Sequence, residues 1–258
     1  MHTERLNFHI VRWLDEYCEN AHVKGFVVGV SGGVDSALVA HLCAQTGKTV
    51  LLLNLPIRQH LAEYERAEKQ IRALKNHFPN VISEEVNLTD AFEVLEKTFN
   101  PIVADHSLGM ANTRSRLRML TLYAYAQPYG LLVAGTGNRI EDFGIGFFTK
   151  YGDGGVDLNP IADLTKSEVF ELAEEVGVLK SILRAKPTDG LWDEETNDED
   201  QIGATYIELE WAMDFDGDES ELSEREKVVL EIYTRLHRQN QHKLQPIPFC
   251  KIPQSIRS

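Results

Sequence analysis

Residues 26–36 read FVVGVSGGVDS and connect a strand pattern to a helix pattern through two glycines. The apolar, β-branched run 26–30 is typical of a strand that is buried on both faces. A helical pattern follows over residues 37–45, and residues 49–55 repeat the strand pattern. A strand, a helix and a second strand in this order predict a βαβ unit with parallel strands.

The alternation continues along the chain. Further strands are predicted at residues 81–88 and 131–134. Helices are predicted near residues 6–17, 60–77, 89–99, 110–127, 166–176 and 224–237. With 258 residues, 43% of them hydrophobic, the chain can bury one substantial core. We therefore expect residues 1–258 to form one α/β domain, a doubly wound, Rossmann-like parallel sheet flanked by helices.

Charge and cysteine content narrow the function classes. The formal net charge is −14, from 40 acidic and 26 basic residues, so the surface should repel phosphate backbones and nucleic acid is not an expected partner.

Cys18, Cys43 and Cys250 lie far apart without a C-x-x-C pair, which predicts buried thiols in a reducing compartment. No apolar run has membrane-spanning length and the N-terminus lacks a signal-peptide pattern, so we expect a cytoplasmic protein without a membrane partner.

The glycine turn at residues 31–36 has the composition of a phosphate cradle. Gly32 and Gly33 allow a close backbone approach to a ligand, and the N-terminus of the next helix directs free N–H groups towards it. Ser31 and Ser36 add hydroxyl donors. Asp35 alone would repel phosphates, so a bridging cation is expected, and Mg²⁺ is preferred because it is commonly held by carboxylates and phosphate oxygens.

The stretch Ser31-Gly32-Gly33-Val34-Asp35-Ser36 resembles the SGGxDS signature of the N-type ATP pyrophosphatases, which have the adenine nucleotide alpha-hydrolase-like fold. In that superfamily the loop holds the β and γ phosphates that leave as pyrophosphate. The superfamily includes enzymes that form amides and enzymes that thiolate tRNA. The loop by itself does not choose among them.

A second stretch, residues 147–155, reads FFTKYGDGG and resembles the long signature of NAD synthetases. This resemblance implies an amide-forming ligase, which converts deamido-NAD to NAD through an adenylate and releases AMP and pyrophosphate from ATP. A glutamine-dependent enzyme would need a glutaminase domain of a few hundred residues, for which the chain has no room. Free ammonia is therefore the expected amide donor, unless a separate glutaminase subunit supplies it. The resemblance also implies a homodimer with deamido-NAD bound at its interface.

The resemblance assigns roles residue by residue. ATP would contact Gly29, Val30, Ser31, Gly32, Gly33, Val34, Asp35, Ser36, Thr136, Lys166 and Thr188. Deamido-NAD would contact Arg116, Lys150, Asp157, His242 and Lys243. Asp35 and Lys166 would support departure of pyrophosphate, and either Asp153 or Asp157 would take a proton from ammonium.

The second metal ligand stays open between two neighbours. The sequence has one more residue between Gly135 and Phe147 than the commoner family spacing, so Glu141 and Asp142 both compete for the role. Counting from Gly135 favours Glu141. The expected metal ligands are therefore Asp35 and Glu141.

The arginine-bearing helix needs a choice among three arginines. At about 100° per residue, Leu117, Leu120 and Ala124 define an apolar face, and Arg116 lies nearest its edge. Arg116 is thus predicted to reach a pocket. Arg114 and Arg118 are predicted to be solvated, with buried stems.

The acidic stretch 193–200 has two interpretations, a solvated loop or part of a lid that closes over substrate. Two other functions also compete with the ligase. A tRNA-modifying enzyme would share the first loop, but the acidic balance argues against it. A sensor that holds ATP without turnover would not need Asp35 and Glu141 together.

Overall fold

The computed structural model describes residues 2–188, 191 and 197–257 of the chain. Four parallel strands form one sheet: β1 (Gly25–Gly29), β2 (Thr49–Asn54), β3 (Val81–Glu85) and β4 (Leu131–Val133). Their order is β3-β2-β1-β4. The predicted parallel α/β sheet is confirmed, and β3 is shorter than predicted.

Helices of the first half cover both faces of this sheet. They are α1 (Thr3–Asn20), α2 (Val34–Gln45), α3 (Leu61–His77), α4 (Thr89–Thr98), α5 (Pro101–Ala104) and α6 (Ser107–Tyr129). Side chains alternate along a strand, so Phe26 and Val28 of β1 enter one core with α1 and α2, whereas Val27 enters the core on the α6 side. The sheet is therefore buried on both faces, as the continuous apolar runs predict.

The second half of the chain extends one of these layers and adds a third. Its elements are a π-helix (Arg139–Ile145), α7 (Lys166–Glu175), α8 (Lys180–Leu183), α9 (Asp198–Ile202), α10 (Tyr206–Asp214) and α11 (Glu224–Leu244), with short 3₁₀ turns at Glu219–Glu221 and Gln254–Ile256. Helices α7 and α8 pack in the same core as α1 and α2, through Val169, Leu172 and Ile182. The π-helix, α10 and α11 pack together through a separate apolar cluster that includes Ile140, Leu209 and Val229. The predicted helices at α7 and α11 are confirmed. The π-helix, α8, α9 and α10 were not predicted, because each is short.

The connection of the strands locates the functional edge of the sheet. After β1 the chain moves to β2 on one side, and after β3 it returns to β4 on the other side of β1. Ligands of open α/β sheets bind beyond the carboxyl ends of the strands at such a switch point. The glycine turn after β1 and the segment after β4 meet there.

The structure corrects two predictions about burial. On α6, Leu120 is 60% exposed and Ala124 is exposed as well, so the predicted apolar face is wrong. The buried face instead carries Met110, Ala111, Arg114, Ser115, Thr121 and Ala126. Helical periodicity failed here because polar side chains of this helix face a cavity rather than the solvent.

Cys18 and Cys43 are buried thiols, as predicted, but Cys250 is exposed because it lies in the segment after α11, whose neighbouring residues are exposed too. Among the described residues, no helix combines the length and the apolar character needed to cross a membrane.

Candidate active site

The glycine turn after β1 forms a tight bend held by its own serines. Ser31 and Ser36 hydroxyls lie 3.0 Å apart, and the Ser36 hydroxyl also accepts from the Ser31 N–H at 3.2 Å. Gly32 has φ +88°, and a Cβ there would lie 2.5 Å from the Glu63 carbonyl oxygen of α3. Glycine is therefore required at this position both by the left-handed backbone and by the close approach of α3.

Helix α2 begins directly at this bend. Its N-cap is Gly33, which has no side chain to cap the first turn, and the Asp35 carboxylate is directed elsewhere. The first backbone N–H groups of α2 therefore face the cavity, with the positive end of the helix dipole behind them. This arrangement suits a polyphosphate.

One cavity lies above the carboxyl ends of β1, β2 and β4. It is lined by all the residues predicted to contact ATP, namely Gly29, Val30, Ser31, Gly32, Gly33, Val34, Asp35, Ser36, Thr136, Lys166 and Thr188. Glu141 and Asp153 line the same cavity. The structure thus brings together residues from the glycine turn, the end of β4, the π-helix and the start of α7.

Lys166, Asp35 and Glu141 form a buried ion triad that lines this cavity. Lys166 Nζ donates to Asp35 Oδ2 at 2.7 Å and to Glu141 Oε1 at 2.8 Å, and Lys166 is only 3% exposed. The Thr165–Glu168 capping box fixes the first turn of α7 and so the origin of this lysine. Asn138 Nδ2 donates to Asp35 Oδ1 at 3.1 Å.

The electrostatics of this triad are strongly perturbed. Burial disfavours the ammonium form of Lys166, but the charges of Asp35 and Glu141 outweigh it and raise the pKa of Lys166. Burial opposes ionisation of Glu141 too, yet Lys166 and hydrogen bonds from Tyr206 and Asn138 lower the pKa of that carboxyl. For Asp35, burial prevails and raises the pKa.

The donor set fits a divalent cation. The Asp35 and Glu141 oxygens converge on one ammonium nitrogen, so the same position can accept a metal ion between two carboxylates. In the described part of the chain, no three His, Cys, Asp or Glu side chains are grouped to hold a metal by themselves. The remaining ligands would have to be phosphate oxygens and water, a combination typical of Mg²⁺.

The π-helix separates the two competing acidic residues. Glu141 points to Lys166, whereas Asp142 Oδ2 accepts from Asn159 Nδ2 at 3.0 Å and packs against the backbone of Gly137. A π-helix has i→i+5 hydrogen bonds, so each turn contains about one residue more than a turn of an α-helix. Single π-helical turns often occur at functional sites. The π-helix lies within the segment between Gly135 and Phe147, where one additional residue was expected.

The FFTKYGDGG loop contributes one carboxylate to the cavity. Asp153 Oδ1 accepts from the Ser115 hydroxyl at 2.6 Å and from the Thr149 N–H at 3.0 Å. Asp157, in contrast, accepts from the Val133 N–H of β4 at 2.8 Å and from the Tyr123 hydroxyl at 3.1 Å, and it does not line the cavity. The two candidate proton acceptors therefore occupy different environments.

The residues assigned to deamido-NAD form a group outside the cavity. Arg116 Nε donates to the Lys150 carbonyl oxygen at 3.3 Å, and Lys150 Nζ donates to the carbonyl oxygen of His242. Lys243 Nζ donates to the carbonyl oxygens of Gly146 and Phe148 at 2.8 and 2.9 Å. Arg116, Lys150, His242 and Lys243 thus surround the FFTKYGDGG loop, and Asp157 stands apart at the edge of β4.

The prediction that Arg114 and Arg118 are solvated is wrong. Arg114 is 5% exposed, lies over the Phe92 ring and donates to the Leu191 carbonyl oxygen at 2.8 Å. Arg118 lines the cavity and donates to the Leu55 carbonyl oxygen and to Gln59. Both guanidinium groups donate to carbonyl oxygens inside the protein. These acceptors belong to segments far from α6 in the sequence, so only the packing of α6 against those segments brings the partners together.

Several cavity residues were not predicted from the sequence. Asn138, Asp198 and Tyr206 surround the triad, and Gln59 and Arg66 line the opposite wall. Only Asn138 carries a usable local signal, since asparagine before a helix is a common N-cap. Of the acidic stretch, residues 193–196 lie outside the described residues, as do residues 189, 190 and 192; Asp198 is buried at the start of α9.

Comparisons with known proteins agree with this site. The family model described as NAD synthase matches residues 7–247. The NH(3)-dependent NAD(+) synthetase of Alkaliphilus metalliredigens is 39% identical over 252 residues, which cover 93% of this chain and 96% of that protein.

Two solved structures are also similar. The NMN synthetase from Francisella tularensis superposes with a TM-score of 0.84 at 32% identity and covers 98% of this chain and 99% of its own. The NH3-dependent NAD synthetase from Campylobacter jejuni has a TM-score of 0.76 over 97% of this chain, and at 23% identity it supports the fold alone. Family match, length coverage and fold lead to one assignment: the chain belongs to the NAD synthase family of ligases.

Proposed function

We propose that this chain uses ATP to convert deamido-NAD and free ammonia to NAD, releasing AMP and pyrophosphate. One observation carries the proposal. The glycine turn, the Asp35–Lys166–Glu141 triad and Asp153 of the FFTKYGDGG loop line a single cavity. Groups that can activate a triphosphate therefore line the same cavity as a carboxylate that can accept a proton from ammonium.

The first step is activation of the nicotinate carboxylate. Its oxygen attacks the α-phosphorus of ATP, the bond to the bridging oxygen of the β-phosphate breaks, and pyrophosphate leaves. The N–H groups at the start of α2 and the Lys166 ammonium stabilise the negative charge that accumulates on pyrophosphate. Asp35 and Glu141 would hold Mg²⁺, which supplies Lewis-acid stabilisation of the same oxygens when bound.

The second step is attack by ammonia on the activated carbonyl carbon, which expels AMP. Ammonium must lose a proton before it can attack, and Asp153 is the better acceptor of the two candidates. Its carboxylate lines the cavity, whereas Asp157 is engaged by the β4 backbone and Tyr123. Asp157 is therefore assigned to substrate positioning rather than to proton transfer.

The dinucleotide is proposed to bind next to the FFTKYGDGG loop, in a homodimer. Arg116, Lys150 and Lys243 supply positive charge there, and His242 lies beside them. Large apolar side chains are exposed on the helices α4 to α6, among them Val94, Ile102 at 86% and Leu120 at 60%. Covering these side chains in a second subunit would remove apolar area from water and so favour a dimer. Light scattering should give the mass of a dimer, and a monomer for the unaltered chain would contradict this proposal.

A direct assay tests the whole function. The pure protein is incubated with ATP, Mg²⁺, ammonium and deamido-NAD, and nucleotides are separated by chromatography. NAD and AMP in equal amounts support the proposal. Production of ADP, or retention of ATP without turnover, would contradict it and would favour a different phosphoryl transfer or a nucleotide sensor.

A second candidate substrate has its own supporting observation. The NMN synthetase from Francisella tularensis matches this chain with a higher TM-score and identity than the NAD synthetase from Campylobacter jejuni does. Its name implies amidation of a nicotinate mononucleotide, which carries the same carboxylate without the adenylyl half. Measuring kcat/KM for the mononucleotide and for deamido-NAD under matched conditions decides between them.

A further inference from the structure

Tyr206 is a buried phenol in contact with the ion triad, although it follows the glycine turn by some 170 residues in the chain. Its hydroxyl lies 2.5 Å from Glu141 Oε1 and 3.2 Å from Asp198 Oδ2. Lys166 Nζ lies 4.8 Å from the centre of its ring. The side chain therefore contacts one carboxylate and the shared ammonium of the triad at the same time.

The phenol is held in place by the start of α10. Tyr206 is the first residue of that helix and directly follows its N-cap Thr205, which forms a capping box with Glu208. Its backbone N–H donates to Glu199 at 2.9 Å, and its ring packs in the cluster that contains Leu209 and Val229. The residue is 5% exposed. A rigid donor of this kind fixes the orientation of its acceptor.

Besides the shared lysine, neutral side chains donate to both triad carboxylates. Asp35 receives the Asn138 amide at 3.1 Å, and Glu141 receives the Tyr206 hydroxyl at 2.5 Å. A cation that arrives with the triphosphate must take the position of the Lys166 ammonium between the two carboxylates. Once the lysine moves towards the phosphates, only the neutral donors keep the carboxylates in place.

We propose that Tyr206 is a positioning residue, which holds the Glu141 carboxylate in the orientation that binds the cation accompanying ATP. The proposal rests on the cation site assigned to Asp35 and Glu141 in the proposed function. The link to Asp198 also ties this carboxylate to α9, at the end of the acidic stretch. Tyr206 acts through Glu141 and has no direct role in the chemistry.

The test compares Tyr206→Phe with Tyr125→Phe. Tyr125 donates to Glu84 at 2.7 Å on the surface, so the control removes the same kind of hydroxyl–carboxylate bond away from the cavity. Binding of Mg²⁺ in the presence of a non-hydrolysable ATP analogue is measured by calorimetry. We expect Tyr206→Phe to weaken Mg²⁺ binding by about tenfold to a hundredfold, the effect of losing one hydrogen bond to a charged group, and Tyr125→Phe to leave it unchanged.

A kinetic measurement separates positioning from general damage. For Tyr206→Phe, the Mg²⁺ concentration for half-maximal turnover should rise by a similar factor, whereas kcat at saturating Mg²⁺ should stay within about twofold. In a Glu141→Gln background, adding Tyr206→Phe should have no further effect on Mg²⁺ affinity, because the Glu141 carboxylate that Tyr206 orients is no longer present.

Unchanged Mg²⁺ affinity in Tyr206→Phe would overturn the proposal, whatever its thermal stability. An equal loss of affinity in the Glu141→Gln background would overturn it too, since the hydroxyl would then act by another route. Calorimetry needs no NAD synthesis, so failure of the proposed function would appear separately, as absence of NAD from the unaltered protein that still binds Mg²⁺ and the analogue.

Discussion

The proposed phosphate cradle, residues 31–36, and the proposed cation site at Asp35 and Glu141 lie in one cavity but are built in different ways. In the cradle, the hydrogen bond from the Ser31 N–H to Ser36 joins residues only five apart. In the cation site, the bond from Lys166 to Asp35 spans 131 residues and the bond from Tyr206 to Glu141 spans 65. The cradle therefore depends on local backbone geometry, whereas the cation site depends on how α7, the π-helix and α10 pack together.

The largest effect is expected from the residue common to both regions. Asp35→Asn should lower the rate of AMP formation by about 1,000-fold, because the neutral amide no longer stabilises the cation beside the departing pyrophosphate. The rate is measured with saturating substrates and Mg²⁺. Asp15→Asn, which removes a carboxylate from a surface pair with Lys48, is the matched control and should be fully active. Near-normal turnover of Asp35→Asn would refute its metal role.

Removing the shared ammonium should lower stability as well as activity. Lys166→Met leaves the Asp35 and Glu141 carboxylates buried without their counter-charge, so we expect a loss of about 3 kcal/mol in the free energy of unfolding. Urea unfolding with EDTA measures the loss, and added Mg²⁺ should restore part of it. Lys48→Met is the control, since Lys48 also pairs with two carboxylates but on the surface, and little change is expected.

The two acidic neighbours on the π-helix should differ in activity. Glu141→Gln should slow AMP formation by about 100-fold through loss of a cation ligand. Asp142→Asn should stay within a few-fold of the unaltered enzyme. Burial, with the charges of Asp153 and Glu141, raises the pKa of Asp142 well above its usual range, so the carboxyl favours a neutral form that asparagine resembles. The reverse order of the two rates would assign the metal to Asp142.

A pair of glycine variants sharpens the description of the cradle. Gly32→Ala should cost about 2 kcal/mol in stability and should raise KM for ATP, since the left-handed backbone is strained and the new Cβ meets the Glu63 carbonyl. Gly47 has φ +75° with open space around it, so Gly47→Ala carries the backbone strain alone. Chemical denaturation of both variants isolates the effect of the close approach, and equal losses would show that the contact with α3 is unimportant.

The smallest effect is expected at the outer edge of the third layer. Hydrogen bonds from Arg225 and from the Thr205 backbone lower the pKa of Glu208 to about 2. The ionised Glu208 carboxylate therefore contributes fully to stability above its unfolded pKa near 4.5. This contribution is lost as pH falls through about 2. Glu208→Gln keeps the capping box and should lower Tm by only about 1–2 °C at pH 7, because the pair is exposed. The Tm difference from the unaltered protein should narrow at pH 3.5. A constant difference across this range would show that the charge contributes nothing.

Local patterns were sufficient for the sheet and the cradle. β1, β2 and β4 are continuous apolar runs, and the glycine turn contains within six residues the two serine hydroxyls that close it. The same reasoning failed on α6, where Arg114 and Arg118 face the inside of the protein. A sequence pattern treats an arginine as solvated unless a buried acceptor is known, and these acceptors are carbonyl groups of distant segments.

The sequence by itself therefore determined the parallel α/β architecture, the phosphate-binding turn and the resemblance to NAD synthetases, because each depends on residues close together in the chain. Only the tertiary structure decided that Glu141 rather than Asp142 meets Lys166, that Asp153 and Asp157 lie in different environments, and that Tyr206 joins the triad. The physical reason is that a buried charge is stable only where packing supplies its partners, and those partners come from helices far apart in sequence.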